Sequence, residues 1–204
     1  MIIKDLNTVF IHIPKCGGKS VARNFQPRGK IVKLSNNWHS HIIWHEVHNN
    51  IETVPHFTYD QAYLQFPKYR YITQIRHPLS RWESIFKHFS DRGFITSTNF
   101  EEWSKRAIKA LNEVTLINLM DNIHLYEGKA SFWHIGVFFK PQWLFFREPE
   151  VEVHKLEEAT IWDSMNIDPL HIHKSKTSIK PYNKENVKDI IYDYYKRDFK
   201  YYGG

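Results

Sequence analysis

VFIHIPKCGGKS, residues 9–20, joins a short apolar run to two adjacent glycines that stand between lysines and are followed by a serine. Residues 8–13 (TVFIHI) are short, apolar and rich in β-branched side chains, the pattern of a buried strand. Pro14 ends the strand because it has no N–H to give to a ladder, and residues 19–25 follow as a helix. Strand, tight loop and helix in that order open an α/β fold. Such a corner turns the first N–H groups of the helix, with ammonium charge beside them, toward an anion of the phosphate type.

Around this corner the chain is 204 residues long and 42% hydrophobic, with 14 Phe, 11 Tyr and 7 Trp, enough to bury one substantial core. The expectation is a single domain over residues 1–204. Lys and Arg exceed Asp and Glu by 28 to 22, a formal charge of +6 that favours an anionic ligand without choosing among nucleotide, nucleic acid and acidic glycan. The basic residues form no run of five and do not alternate with aromatics, which argues against nucleic acid as the partner. Cys16 is the only cysteine, so no disulfide can form within the chain and the fold needs no oxidising compartment. No signal-peptide pattern opens the chain and no apolar stretch approaches the ~20 residues of a membrane span, so the expected location is cytoplasmic. Composition leaves the oligomeric state open.

Farther along, residues 31–34 are a candidate strand, and residues 35–55, which include His39, His41, His45 and His48, read as a loop or lid. Residues 58–66 look helical up to Pro67, and residues 69–75 (YRYITQI) form a strand by their aromatic and β-branched content. That strand runs into Arg76, and His77-Pro78 opens a helix through about His88, with proline in its first turn. Helices are expected over residues 100–112, 113–120 and 184–196, and late strands over 143–146 and 151–154. The alternation predicts an α/β fold with a central, mostly parallel sheet flanked by helices.

Gly18, Lys19 and Ser20 match the last three positions of the P-loop pattern G-x-x-x-x-G-K-[ST], while Ile13 stands where its first glycine belongs. The expected fold is therefore P-loop-like, but the loop is not a standard ATP site. Arg76 leaves the carboxyl end of a predicted central strand, and Ser84 lies eight residues on, about two turns into the next helix. Ligands of open α/β sheets sit outside the carboxyl ends of the strands, so both corners are expected to open onto one crevice. Two anion-binding corners suit a nucleotide carrying a 5′ and a 3′ group better than ATP, whose charge lies in a single row.

At these residues the chain resembles a known family. IHIPKCGGKS resembles the 5′-phosphosulfate loop of the sulfotransferases, and IRHPLSRWES looks like their 3′-phosphate segment, R-[DNH]-P-x-x-R-x-x-S, with Arg76, Pro78, Arg81 and Ser84 in place. The subgroup it looks most like is the carbohydrate sulfotransferases, including heparan sulfate 2-O-sulfotransferase and small bacterial relatives. His56-Phe57-Thr58-Tyr59 is similar to the segment that carries that subgroup's proposed base. Residues 172–182 (IHKSKTSIKPY) and 187–203 resemble the family's closing loop and helix.

The resemblance implies a donor, 3′-phosphoadenosine 5′-phosphosulfate (PAPS), a product, adenosine 3′,5′-bisphosphate, no metal, and a hydroxyl of a carbohydrate or glycoconjugate as acceptor. It implies that Lys15 holds the 5′-phosphosulfate and stabilises charge on the bridging oxygen, within a cradle of Cys16, Gly17, Gly18, Lys19 and Ser20. Arg76 and Ser84 would grip the 3′-phosphate, and Lys174, Ser175 and Lys176 would close over the donor. His56 would take the acceptor proton, a task suited to an imidazole.

Each role has a plainer alternative. The glycine loop could be an ordinary strand-to-helix turn, although a turn does not require lysines on both sides of Cys-Gly-Gly. Arg81 reads equally as an internal ion pair and as a ligand contact, and the histidines at 39, 41, 45 and 48 compete with His56. Their spacings, H-S-H and H-E-V-H, lack the H-E-x-x-H pattern that places two metal ligands on one helical face. Cys16 reads as a small buried side chain rather than a nucleophile, and residues 174–178 as a solvated basic loop or a donor contact. Two other functional classes stay open. One is a P-loop kinase using ATP, which needs a metal-holding acid at a neighbouring strand end; the other is a non-catalytic module that binds anionic glycans.

Overall fold

The run at residues 8–11 is a strand, as its composition predicts. The computed structural model describes residues 1–3, 6–25, 46–48, 51–53, 56, 58–113, 135–170 and 175–203. The chain divides into two compact units: Met1–Ile13, Gly17–Ile75 and Phe145–Ile172 in the first, and Pro14–Cys16, Arg76–Leu144 and His173–Gly204 in the second.

Among the described residues the first unit contains a six-stranded sheet. Its strands are β1 (Ile2–Ile3), β2 (Thr8–Ile11), β3 (Glu46–His48), β4 (Ile51–Thr53), β5 (Arg70–Ile75) and β6 (Glu152–Lys155), in the spatial order β3-β4-β1-β2-β5-β6. β2, β5 and β6 are parallel, with Ile11 opposite Thr73 and Gln74 opposite His154. β1, β3 and β4 extend the sheet antiparallel. The sheet is thus mixed, with its parallel half holding both strands that lead into the predicted corners. β5 is buried from Tyr71 through Ile75, as a parallel strand covered on both faces should be. The hydroxyl of Thr73 satisfies itself on the Ile11 carbonyl at 2.8 Å.

The helices are α1 (Gly18–Phe25), α2 (Tyr59–Tyr63), α3 (Pro78–Ser90), α4 (Phe100–Glu113), α5 (Ile135–Phe139), α6 (Ile161–Met165) and α7 (Lys184–Lys200). In the first unit, Val21 of α1 and Ile161, Trp162 and Met165 of α6 pack with Phe10 and Ile72 of the sheet. α2 starts at a reciprocal cap in which Thr58 and Gln61 each satisfy the other's backbone N–H.

The second unit is helical. α3 begins at Pro78, where the missing N–H costs nothing, and buries Pro78, Arg81, Trp82, Ile85, Phe86 and Phe89 along one face. α4 buries Phe100, Trp103, Ser104, Ala107, Ile108 and Leu111 at the same helical spacing, and Trp82 donates its indole N–H to Ser104 Oγ at 2.8 Å. α7, capped by the Asn183 side chain, adds Val187, Ile191, Tyr195 and Phe199 to this core. Each large apolar side chain taken out of water here stabilises the fold by roughly 1.5–3 kcal/mol.

Two expectations are corrected. Residues 143–146 are not a strand: Gln142–Leu144 form a 3-10 turn, because the Asp198 carboxylate captures the N–H groups of Gln142 and Trp143 that a strand would spend on a ladder. Inside the stretch read as a loop or lid, Glu46–His48 and Ile51–Thr53 pair as β3 and β4. The strand expected at 31–34, His39, His41, His45, Lys174 and the helix expected beyond residue 113 lie outside the described residues. No described helix is long and apolar enough to cross a membrane.

Candidate functional site

In the first unit the chain returns from residues 14–16 at Gly17, whose φ of 82° lies in the left-handed region that only glycine occupies without strain. The N–H of Ser20 closes the first turn of α1 on the Gly17 carbonyl at 2.8 Å. The N–H groups of Gly17, Gly18 and Lys19 precede that bond, so the helix presents its positive end here. Both glycines are needed for packing as well. A Cβ on Gly17 would lie 2.7 Å from Gln74 Oε1 and 3.0 Å from Leu156 Cδ1, and one on Gly18 would lie 2.1 Å from the ring of His12.

His12 connects this helix start to His56. Their rings are 4.7 Å apart, and His56 Nδ1 lies 2.9 Å from the His12 carbonyl oxygen. A carbonyl can only accept, so Nδ1 carries the proton, and in the neutral ring Nε2 is the basic nitrogen. The backbone of His56 is itself left-handed, with φ of 48°, a conformation that an ordinary side chain adopts only when its surroundings hold it. Gln74 lies on β5 and is fully buried, and neither heteroatom of its amide has a hydrogen-bond partner among the described residues. An unpaired buried amide costs about 1–3 kcal/mol.

In the second unit, residues 14–16 are held by the segment around Arg76. The Arg76 guanidinium donates to the Lys15 carbonyl at 3.4 Å, the Arg81 Nε donates to the Pro14 carbonyl at 3.0 Å, and the Cys16 thiol lies 3.0 Å from Gln142 Oε1. Gln142 also bonds both backbone groups of Arg76, at 2.8 Å each. The Arg76 backbone is thereby clamped, and its half-buried side chain reaches Lys15, whose φ of 67° is again left-handed. Asp198 accepts from the N–H groups of Gln142 and Trp143 at 2.8 and 3.0 Å. Burial pushes its carboxyl above the ordinary range, and those two donors, together with the nearby Arg81 charge, pull it part of the way back.

The remaining predicted residues fall as follows. Arg81 is internal: it is 1% exposed and spends Nε on Pro14 and Nη2 on the Phe138 carbonyl at 2.8 Å. Ser84 is half-buried on the second turn of α3, and Lys19 is exposed on the first turn of α1. Ser175 and Lys176 are tied to the opposite end of α3 from Arg76. There Asp91 accepts from the Ser175 hydroxyl at 2.6 Å, from the Thr177 N–H at 2.8 Å and from the Lys176 N–H at 3.3 Å. A 13-residue helix is about 20 Å long, so the described part of this loop is anchored well away from Arg76. Among the described residues no three His, Cys, Asp or Glu side chains converge as metal ligands.

The hydroxyls of Ser175 and Thr177 hold the Asp91 carboxyl down at about 2. A depressed folded value means that the tie is at full strength above the unfolded carboxyl value of roughly 4 and is lost as pH falls through about 2. The expected result is an Asp91 carboxyl resonance that titrates near 2. In Asp91→Ala at neutral pH, trypsin should cut after Lys176 faster than in the parent protein.

His12, Gln74, Gln142 and Asp198 were not singled out from sequence. His12 left a signal, since it is the polar intruder between Ile11 and Ile13, and Gln74 a weaker one, as the long polar side chain at the buried end of β5. Gln142 left none, being 66 residues from the Arg76 backbone it clamps. Comparison with protein-family models, with curated proteins and with solved structures found no match for this chain.

Proposed function

We propose that the protein is a sulfotransferase that moves a sulfuryl group from PAPS to a hydroxyl of a carbohydrate or glycoconjugate. The observation that carries this reading is the contact between the Arg76 guanidinium and the Lys15 carbonyl. It joins, across 61 residues of sequence, the two segments that resemble the 5′ and 3′ halves of the donor site. The strand, glycine turn and helix formed by β2, Gly17 and α1, with β5 as a parallel neighbour, support a P-loop-like fold.

The residues present suit an anionic nucleotide. Gly17 and Gly18 leave a cradle that a Cβ would fill, and the Gln74 amide beside it is unsatisfied among the described residues. When bound, the donor supplies an activated sulfuryl group. Lys15 places its ammonium in the loop to stabilise the negative charge that grows on the leaving oxygen. Arg76, clamped by Gln142, offers its guanidinium to the 3′-phosphate, and Ser84 adds a neutral donor. His56, with Nδ1 committed to the His12 carbonyl, takes the acceptor's hydroxyl proton on Nε2.

A kinase reading has less support. β5 carries neutral Gln74 against the glycine turn and leads into Arg76, where a kinase needs a carboxylate to hold magnesium. Thermal unfolding with added ligand separates the two. Adenosine 3′,5′-bisphosphate without magnesium should raise the melting temperature by several degrees, since ligand at a hundred times its Kd stabilises by about 2.7 kcal/mol. ATP with magnesium should do little, and the reverse ranking would overturn the proposal.

A further inference from the structure

Gln74 has no role in the fold that an apolar residue could not fill. It is fully buried on β5 between Thr73 and Ile75, and neither amide heteroatom is paired among the described residues. Its head reaches the glycine turn: Oε1 lies 2.7 Å and Cδ 3.7 Å from where a Cβ of Gly17 would stand. The carboxamide therefore lies directly against the turn from which the N–H groups of α1 emerge. Rotation about its soft terminal torsion exchanges oxygen and nitrogen, so the NH₂ can face the same turn.

We propose that Gln74 is a ligand-binding residue whose Nε2 donates a hydrogen bond to the anion held at the start of α1. This rests on the reading of residues 15–20 as a phosphosulfate loop and adds a donor to it from the sheet. It also bears on selectivity. A neutral amide contributes a hydrogen bond without a charge, which suits a singly charged sulfuryl group; a carboxylate at this position would have no proton to give and would repel the ligand. Ligand binding thereby pairs an amide that has no partner among the described residues.

The test uses the full chain, with Gln74→Leu and Gln74→Glu variants, and titrates adenosine 3′,5′-bisphosphate and inorganic pyrophosphate without metal. Calorimetry gives the affinities, and the side-chain NH₂ signal of Gln74, assigned by its loss in Gln74→Leu, is followed by NMR. In the parent protein that signal should shift on titration. Gln74→Leu should bind the bisphosphate about tenfold more weakly, the effect of one hydrogen bond, while its ligand-free melting temperature stays equal or rises. Gln74→Glu should bind more weakly still. Unchanged affinity in Gln74→Leu, a stationary NH₂ signal, or a weakened affinity accompanied by a lower ligand-free melting temperature would each overturn the proposal. If pyrophosphate moves the signal and the bisphosphate does not bind, Gln74 is still an anion ligand and only the PAPS reading fails. Binding of neither probe overturns both.

Discussion

Lys15→Met is expected to lower the rate of sulfuryl transfer by about 10²–10³-fold, the loss that follows removal of one charge-stabilising donor, while the fold stays intact. The backbone of Lys15 serves the structure, and under the proposed function its side chain serves the chemistry. Its carbonyl receives the Arg76 guanidinium and its φ of 67° fits the turn, and methionine preserves both at the same conformational cost. What methionine removes is the ammonium, whose value is greatest once the bond to the leaving oxygen stretches and charge accumulates there. The loss should therefore appear in kcat at saturating donor, with only a small change in affinity for adenosine 3′,5′-bisphosphate. Lys15→Gly is the companion variant. It should be equally inactive yet stabilised by up to about 1 kcal/mol, because glycine adopts the left-handed backbone without penalty. A Lys15→Met protein with normal turnover would show that the chemistry lies elsewhere.

Arg81→Ala is expected to destabilise the second unit by about 3–5 kcal/mol, the range seen when one partner of a buried charged network is removed. The guanidinium is 1% exposed and ties α3 to two carbonyls, those of Pro14 and Phe138, and alanine would remove both of these bonds and leave a cavity. Arg81 also offsets the buried charge of Asp198, whose carboxyl burial already pushes upward. Without Arg81 that carboxyl rises further. A raised folded value means that stability is retained below the unfolded value of roughly 4 and lost as pH increases. The destabilisation should thus be smaller near pH 4 than at pH 7. Urea unfolding followed by the fluorescence of buried Trp82 reads this directly. Arg81→Lys should not rescue, since one ammonium cannot serve two carbonyls from the Nε and Nη2 positions. A cost below about 1 kcal/mol, or one independent of pH, would contradict this account.

Several elements were legible because their signals are local. The β-branched run of β2, Pro14 at its end, the glycines at the turn and Pro78 at the first position of α3 each act on neighbouring residues only. The motif around Arg76 put Arg76 at the end of a strand and Ser84 on the second turn of the helix that follows, as the structure has them, yet it left open whether Arg81 faces a ligand or the interior. That depended on which carbonyls lay within reach. The late strand read at residues 143–146 failed for a similar reason. Trp143, Leu144, Phe145 and Phe146 have strand composition, but Asp198, more than fifty residues later, takes the N–H of Trp143 and that of Gln142 just before it. The antiparallel half of the sheet escaped notice because β1 has two residues and β3 and β4 have three each, too few for a period to show.

By itself the amino-acid order determined the two strand-to-helix corners and their charge, since turn geometry, helix starts and net charge are properties of short stretches. Only the tertiary structure decided what those corners rest on. Gln142 clamps Arg76, Arg81 braces Pro14, His12 lies under Gly18 and points His56 by its own carbonyl, and Gln74 waits beneath Gly17. Those contacts join residues up to 67 positions apart. A hydrogen bond between distant residues leaves no period or propensity in either segment, so it becomes visible only when the core that brings the segments together has formed.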